Sequence, residues 1–236
     1  MEDGGTVGAS HAYTFPELHS FAPFYTLQPN PQTAATQIDA WSQLIVAYCA
    51  AHGRFLLDAA GAWERTSDLF CDRDLDRALS PTTLQVIFAR MVQQGRAVYE
   101  PPLPRSVKPP HAGSVPVDHR TQALSVQAAA AGAVPTGVPG SVVLVLWRTP
   151  DEWGTLLYNW ICDTGQNQSV LTWYELTQGD FVTRNALPPQ LLRLALQALV
   201  RKGRAQVFTA TSAGRFAASR TDVLSDSLEA SGVKFV

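Results

Sequence analysis

Two stretches of the chain repeat one spacing of apolar residues. The first, WSQLIVAYCAAHG, begins at Trp41, the second, WGTLLYNWICDTG, begins at Trp153, and they align without a gap. In both, apolar residues recur at i, i+3, i+4 and i+7, which is typical of one face of an amphipathic helix. Each stretch ends in a glycine, Gly53 or Gly165, the residue favoured just beyond a helix C-terminus. The pattern predicts two equivalent helices in two related halves of the chain.

A second pair of segments repeats in the same order. ALSPTTLQVIFARMVQQGRA occupies 78–97, and ALPPQLLRLALQALVRKGRA occupies 186–205. Both segments have a proline at the expected first helical position, Pro81 or Pro189. Ser80 is a favourable N-cap for the first of them. Both end in Gly-Arg-Ala, which indicates a helix followed at once by reversal of the chain.

Short apolar segments after these helices predict strands. AVYE and AQVF follow the two Gly-Arg-Ala sequences, and each half closes with another such segment, SVVLVLW from Ser141 and GVKFV from Gly232. A shorter helical segment is predicted between the repeated helices of each half, at 66–70 and 172–176. Each half then has the order helix, helix, helix, strand, strand. The predicted fold class is α+β, mainly α, with two tandem winged-helix domains of three helices and a β-hairpin wing each.

The repeat also predicts the domain boundaries. An N-terminal arm is expected over 1–36, a first winged helix over 37–148 and a second over 149–236. Residues from about 101 to 140 are rich in Pro, Ala, Gly and Ser without periodicity, which predicts a disordered insertion in the first wing. Residues about 210–231 fill the corresponding place in the second wing. The alternative for these insertions is a lid or a short linear motif.

Composition excludes several classes of protein. Hydrophobic residues make up 46% and charged residues 16% of the chain, and the formal net charge is -2, so bulk charge does not attract nucleic acid. The longest nearly apolar run, SVVLVLW, is far shorter than the roughly 20 residues that span a membrane as a helix. The N-terminus lacks the pattern of a signal peptide. Three cysteines, Cys49, Cys71 and Cys162, form no CxxC pair and predict buried free thiols in a reducing compartment.

The sequence offers no recognisable catalytic or metal-binding pattern. None of the five histidines pairs with another histidine, a cysteine or an acid at ligand spacing. The run DRDLDR, Asp72 to Arg77, lacks the glycine and the closing glutamate of a calcium loop, and we predict a solvated charge run beside a helix. We therefore expect no cofactor, no metal and no enzymatic activity.

Basic residues are concentrated in the second half of the chain. Between Asp180 and Asp222 the sequence contains no acid, although arginine and lysine occur throughout. The third helix of a winged helix commonly enters the major groove of DNA, so a nucleic-acid-binding tandem winged helix is the alternative function. The corresponding helix of the first half begins with TTLQ and lacks a cluster of base-reading residues. The basic face can equally dock an acidic helix of a partner protein or be an ordinary solvated surface.

Four segments carry a resemblance to a known family. They are PFYTLQPN from Pro23, RTPDEWGTLLYNWICDTGQNQSVLTWYELTQGD from Arg148, LLRLALQALVRKGRAQV from Leu191, and GVKF from Gly232. With these segments the chain resembles the small winged-helix subunit of the ESCRT-II complex. The resemblance implies a cytoplasmic, non-catalytic subunit that is recruited to endosomes.

The same resemblance implies the partners. Two copies of the chain are expected to join one copy each of two larger ESCRT-II subunits, and the second winged helix is expected to recruit an ESCRT-III subunit for cargo sorting into multivesicular bodies. Contact with the endosomal membrane is expected only indirectly, and no nucleic acid is expected as a partner.

Docking onto the larger subunits is implied for an aromatic motif in the arm. Carried over by position, the docking residues are Pro23, Phe24 and Tyr25, and Ala22 departs from the family pattern, in which a proline is usual. Burial of one aromatic side chain contributes about 1.5–3 kcal/mol, so a few such anchors can form a hot spot. Because the first repeated helix is predicted to begin near Ile38, the motif is expected to lie in a free arm. The alternative is that its aromatic side chains contact the chain's own first winged helix.

A second set of contact residues is predicted on the third helix of the second half. Arg193, Arg201 and Lys202 are polar positions on an otherwise apolar segment. We expect these three residues to bind the ESCRT-III subunit.

Overall fold

A computed structural model of the chain divides into two compact units, Met1–Trp147 and Arg148–Val236. The structure describes residues 13–59, 68–103, 142–167, 169–210, 216–218 and 231–236. The predicted first insertion, about 101–140, lies outside the described residues except for 101–103.

Helix α1, Pro31–His52, confirms the first repeated helix but begins earlier than predicted. Asn30 caps it, because its side-chain oxygen accepts the backbone N–H groups of Gln32 at 2.9 Å and Thr33 at 3.3 Å. Gly53 ends it in the left-handed conformation, with φ of 61°. The Asn-Pro pair thus starts the helix before the first apolar repeat, and the predicted arm over 1–36 overlaps it.

Helix α2, Pro81–Gln93, confirms the second repeated helix of the first half. The Ser80 side chain accepts the N–H of Thr83 at 3.1 Å, which is the predicted N-cap. One face of α2 is apolar and buried, with the side chains of Leu84, Ile87, Phe88 and Met91. This face belongs to the same hydrophobic core as the inner face of α1.

The first unit contains a three-stranded antiparallel sheet. Its strands are β1, Leu56–Asp58, β4, Ala97–Glu100, and β5, Val142–Val145, in the order β1-β5-β4. Val143 pairs with Leu57 on one side and with Tyr99 on the other. The pair β4–β5 confirms the predicted hairpin of the first half, whereas β1 was not predicted.

The short helix predicted at 66–70 is wrong in its described part. Residues 68–70 form a turn and a bend, and the chain continues into a hairpin of β2, Cys71–Asp72, and β3, Arg77–Ala78. The carboxylate of Asp72 accepts the backbone N–H groups of Asp74 at 2.9 Å and Leu75 at 3.0 Å. Such local side-chain bonds compete with helix formation, so the predicted charge run forms the turn of a hairpin.

The second unit contains four helices in its described part. They are α3, Pro150–Asp163, α4, Trp173–Gln178, α5, Asp180–Asn185, and α6, Pro189–Arg201. Capping boxes begin α3, through Thr149 and Glu152, and α4, through Thr172 and Glu175. Helices α3, α4 and α6 confirm the predicted ones, and α5 is additional.

The sheet of the second unit is antiparallel and has the order β6-β9-β7-β8. These strands are β6, Val170–Thr172, β7, Ala205–Ala210, β8, Phe216–Ala218, and β9, Ser231–Phe235. Strand β8 lies within the predicted insertion of about 210–231, and it pairs with the end of β7. The sheet is therefore extended into that segment, of which residues 211–215 and 219–230 lie outside the described residues.

Helices α3 and α6 approach each other closely at Gly154. A methyl group at this position would lie 2.9 Å from the carbonyl oxygen of Ala195 and 3.2 Å from Cγ of Leu199. Glycine therefore permits the contact that closes the core of the second unit. That core contains the buried side chains of Trp153, Leu157, Ile161, Leu192, Leu196 and Phe235.

Candidate functional site

The arm, residues 13–30, is folded against the first unit and is not free. Phe24 and Tyr25, in a 3-10 turn at Ala22–Tyr25 that we call the arm turn, are 4% and 1% exposed. The Phe24 ring stacks on the indole of Trp41 with 4.3 Å between centroids, and the Tyr25 ring meets the same indole edge-on at 5.5 Å. Trp41 offers an apolar face too large to leave in water, and this explains the departure from the predicted free arm.

Side chains of α1 satisfy the backbone of the arm turn. Gln37 Nε2 donates to the carbonyl oxygens of Phe24 at 2.7 Å and Thr26 at 3.0 Å, and Trp41 Nε1 donates to that of Phe24 at 3.0 Å. Gln37 Oε1 accepts the backbone N–H of Gln28 at 3.1 Å. Buried carbonyl groups need such partners, so these bonds let the turn enter the core.

The beginning of the arm is held by aromatic rings and by His19. The His19 ring stacks on Phe15 at 4.1 Å between centroids, and its Nε2 lies 3.1 Å from the carbonyl oxygen of Leu69. Tyr13 meets the ring of Tyr48 on α1 edge-on at 5.4 Å. The arm is therefore anchored on both sides of its exposed segment.

The outer face of the arm is apolar and exposed. Phe21 is 54% and Leu18 41% exposed, and Pro23, within the arm turn, is exposed as well. Together with α1 they form a groove of about 350 Å³, which we call the arm groove. Its lining residues carry no formal charge: Leu18, Phe21, Pro23, Phe24, Gln28, Thr33, Thr36, Gln37 and Ala40.

The predicted docking residues therefore differ in accessibility. Pro23 is exposed, Phe24 contributes to the arm groove although it is largely buried, and Tyr25 is inside the core. Leu18 and Phe21 were not predicted. Phe21 belongs to the same aromatic stretch as Phe24. The contacts of Phe24 with α1 bury that ring and leave Phe21 exposed, and these contacts cannot be read from the stretch itself.

The hydroxyl of Tyr25 is buried and has no hydrogen-bond partner among the described residues. Burial, and to a smaller extent the charges of Asp72 and Cys71, raise the pKa of Tyr25 well above its ordinary value. The hydroxyl is therefore neutral throughout the physiological pH range.

Two of the three basic residues predicted on the third helix of the second half lie together. Lys202 Nζ is 2.8 Å from Oδ1 of Asp151, and Arg201 Nη2 is 3.8 Å from Oδ2 of the same carboxylate. The hydrogen bond from Lys202 lowers the pKa of Asp151, and burial opposes this shift without cancelling it. Arg193 is about 12 Å away along α6 at 1.5 Å per residue, is partly buried, and has an Nε without a hydrogen-bond partner among the described residues.

A shallow groove of about 550 Å³ lies beside this ion pair, at the N-terminus of α3. It is lined by Arg148, Asp151, Glu152, Thr155, Leu156 and Lys202. The backbone N–H and the hydroxyl of Thr149 hold the pKa of Glu152 below its usual value, so the groove carries both signs of charge at neutral pH. A charged segment of another molecule can bind here if it replaces Asp151 as the ion-pair partner of Arg201 and Lys202.

The basic face offers less free charge than the sequence indicates. Arg201 and Lys202 share the carboxylate of Asp151, and the guanidinium of Arg204 lies over the ring of Tyr158 at 5.1 Å. These pairings reduce the positive charge available for a phosphate backbone.

The described residues contain no group of three or more His, Cys, Asp or Glu side chains that could hold a metal ion. None of the helices in this part of the chain is long and apolar enough to cross a membrane. The candidate sites of the described chain are thus an apolar surface and an ionic one.

The architecture is that of a two-module helix–strand protein with an aromatic arm folded onto its first module. A family model described as "ESCRT-II complex subunit" matches residues 18–189. The chain belongs to this family, and the resemblance seen in its sequence is confirmed.

Curated relatives are similar over most of their length. Vacuolar protein-sorting-associated protein 25 of Danio rerio is 29% identical over 201 residues, covering 84% of this chain and 94% of the relative. The protein of the same name from Homo sapiens is also 29% identical, covering 84% and 93%. That from Dictyostelium discoideum is 26% identical, covering 85% and 93%.

Solved structures agree with this assignment. A crystal structure of subunit VPS25 of ESCRT-II has a TM-score of 0.59 at 22% identity and covers 93% of this chain and 97% of that one, which shows the fold. A chain in the crystal structure of the endosomal complex ESCRT-II (VPS22/VPS25/VPS36) has a TM-score of 0.59 at 25% identity and covers 86% and 98%.

Proposed function

We propose that this chain is a non-catalytic adaptor subunit of ESCRT-II. It docks to the two larger subunits through its arm, recruits an ESCRT-III subunit through its second unit, and acts at endosomes in cargo sorting into multivesicular bodies. Family membership supports the complex, and a similar solved chain comes from an assembly described as VPS22/VPS25/VPS36. Two copies of the chain join each complex in this proposal.

Each unit is, in this proposal, a winged helix. The order of elements in the second unit supports this proposal. A first helix, α3, is followed by β6, by the short helices α4 and α5, and by α6; β7 and β9 then pair, as the strands of a wing do. The first unit supports it with α1, β1, α2, β4 and β5.

The single observation that carries the docking role is an exposed aromatic ring on a fixed turn. Phe21 projects from the arm beside Pro23, next to a groove without charged lining. A partner that covers the Phe21 ring gains about 1.5–3 kcal/mol from its burial. Phe24 then forms the floor of the contact, and Tyr25 supports the turn from within the core.

The ESCRT-III contact is proposed at the charged end of α6. Arg201 and Lys202 face the solvent beside Asp151, and an acidic partner segment can replace that carboxylate. Arg193 remains a proposed contact on the same helix. The alternative function, nucleic-acid binding, is less well supported by this surface, because Arg201 and Lys202 share the carboxylate of Asp151.

Co-purification with the two larger subunits tests the docking role. The double variant Phe21→Ala, Pro23→Ala is expected to lose the complex and to keep the unfolding temperature of the isolated chain. Leu56→Ala is the matched control, since Leu56 is an exposed apolar residue of the same unit outside the arm. Retention of the complex by the double variant at the wild-type level would refute docking through this face.

A further inference from the structure

A hydrogen-bonded cluster on and beside α1 encloses the backbone of the arm turn. We call the side chains of Gln28, Gln37 and Trp41 the amide clamp. Gln28 Nε2 donates to the carbonyl oxygens of Pro23 at 3.1 Å and Thr26 at 3.0 Å. The amide of Gln37 donates to the carbonyl oxygens of Phe24 and Thr26, and at 3.3 Å to that of Pro23, and the indole N–H of Trp41 donates to that of Phe24. Carbonyl groups before and after Phe24 are therefore bound.

The clamp binds backbone atoms only, so the side chains of Phe21 and Pro23 remain available to a partner. The turn has its own bonds as well, from the N–H of Phe24 to the carbonyl oxygen of Phe21 at 2.8 Å and from that of Thr26 to Pro23 at 3.3 Å. Because its carbonyl groups are directed at α1, the turn presents Phe21 and Pro23 on the outer face. The orientation of the exposed ring is therefore set by side chains that bind the backbone of the turn, and two of them, Gln28 and Gln37, also line the arm groove.

We infer that Gln37 is a positioning residue for docking, which holds the arm turn so that the arm binds the larger subunits while it remains folded against the first unit. The inference rests on the proposed docking function. A segment fixed in its bound conformation loses less conformational entropy on association, which favours this mode. Detachment would expose the rings of Phe24 and Tyr25 and leave the carbonyl groups of the turn without these donors.

The two modes of docking predict opposite effects of a weaker clamp. If the arm had to detach before binding, a weaker clamp would raise the population of the detached, binding-competent state and tighten binding. If the arm binds while folded, a weaker clamp lowers the competent population and weakens binding. The sign of the change in affinity distinguishes the modes.

Gln37→Glu weakens the clamp without changing the size of the side chain. It replaces the donor amide by a carboxylate oxygen that faces the carbonyl oxygens of Phe24 and Thr26. Gln43→Glu is the matched control, because Gln43 is an exposed residue of the same helix and gains the same charge. The titration uses the full chain against the purified pair of larger subunits, VPS22 and VPS36, from the same source.

The expected result at pH 8 is a Kd for Gln37→Glu that is larger by about tenfold or more, while Gln43→Glu stays within about twofold of wild type. Unchanged or tighter binding by folded Gln37→Glu would overturn the inference. A pH series shows whether the weaker binding depends on the charge of the introduced carboxylate. Protonation of the introduced carboxylate restores a hydrogen-bond donor, so the affinity of Gln37→Glu is expected to recover as the pH falls toward 5.5. Gln43→Glu is measured at each pH as the reference. Because both variants contain His19 and Glu17, any effect of these two residues cancels in the comparison.

A second variant covers the case that Gln37→Glu does not fold. Gln28→Ala removes the outer part of the clamp from a partly exposed position and leaves α1 unchanged; we expect about threefold weaker binding. If Phe21→Ala also binds like wild type, the docking function itself is wrong. If Phe21→Ala loses binding while Gln28→Ala, and Gln37→Glu where it folds, bind as well as wild type or better, only the positioning role is wrong.

Discussion

The ring of Phe24 lies parallel to the indole of Trp41, with 4.3 Å between the centroids and 7° between the planes. The same indole donates its N–H to the carbonyl oxygen of Phe24 at 3.0 Å. One tryptophan of α1 thus holds both the side chain and the backbone of the arm turn. Substitutions in the aromatic stretch will consequently affect folding at some positions and binding at others.

Phe24→Ala is expected to lower the free energy of unfolding of the first unit by about 3–5 kcal/mol, the usual range when a buried phenylalanine is truncated. Urea unfolding of the full chain, followed by tryptophan fluorescence, measures it. Phe21→Ala is the control and is expected to change the free energy of unfolding by less than about 0.5 kcal/mol, because its ring is exposed. Identical unfolding curves for Phe24→Ala and wild type would contradict the burial of the Phe24 ring.

Tyr25→Phe is expected to make stability less sensitive to alkaline pH. Burial raises the pKa of Tyr25 in the folded chain, so above about pH 10 the unfolded chain releases this proton while the folded chain keeps it. The contribution of Tyr25 to the free energy of unfolding is therefore fully present below about pH 10 and is lost as the pH rises further. The difference in unfolding free energy between Tyr25→Phe and wild type, measured from pH 8 to 11, should grow in favour of the variant. A constant difference over this range would refute the raised pKa of Tyr25 in the folded chain.

Charge reversal at Arg201 and Lys202 is expected to weaken binding of a recombinant ESCRT-III subunit by about tenfold, or 1.4 kcal/mol. Surface plasmon resonance with the full chain measures the change. Arg184→Glu is the control for charge reversal, since Arg184 is an exposed arginine elsewhere in the second unit, and it changes the net charge half as much as the double reversal. If the control weakens binding as much as the double reversal, the effect is one of net charge and the proposed contact is wrong.

Asp151→Asn is expected to change the same affinity in the opposite direction. Lys202 lowers the pKa of Asp151, so the carboxylate is ionised at neutral pH and competes with an acidic partner. Removing its charge frees Arg201 and Lys202 and should strengthen binding by a fewfold, with a steeper dependence on salt. Weaker binding by a folded Asp151→Asn protein would indicate that the partner uses Asp151 itself.

Gly154→Ala is expected to destabilise the second unit by about 1–3 kcal/mol, because the added methyl group meets the backbone of α6. Asn159→Ala, at an exposed position of α3, is the control and tests the general effect of alanine on this helix. Differential scanning calorimetry of the full chain measures both. A Gly154→Ala protein as stable as the control would contradict the close approach of α3 and α6.

The repeated helices could be predicted because their signals are local. Pro81 and Pro189 mark helix starts, Ser80 provides a cap, and the apolar spacing follows one helical face. Helix α5 was missed because six residues are too few to establish a period. The segment at 66–70 was misassigned because the hairpin that follows it depends on the pairing of β2 with β3, which the local pattern does not reveal. Strand β8 was missed because it has only three residues and is defined by its pairing with β7, not by a pattern in its own sequence.

The sequence marks the arm as a candidate binding element but does not predict that it is folded. The aromatic stretch itself indicates binding, but its burial depends on Trp41 and Gln37, which are more than ten residues away in the sequence. Nothing in the stretch distinguishes Phe21 from Phe24, yet one is exposed and the other is buried. Such a distinction arises from tertiary contacts alone.

The position of Phe24 and Tyr25 in the core changes how deletion mapping of this protein has to be interpreted. A chain shortened to begin at Pro31 loses the two rings that cover Trp41, along with the residue that caps α1, Asn30. Failure of such a shortened chain to assemble would reflect a damaged domain as much as a missing docking segment. Point substitutions on the outer face of the arm, at Phe21 and Pro23, separate assembly from folding where truncation does not.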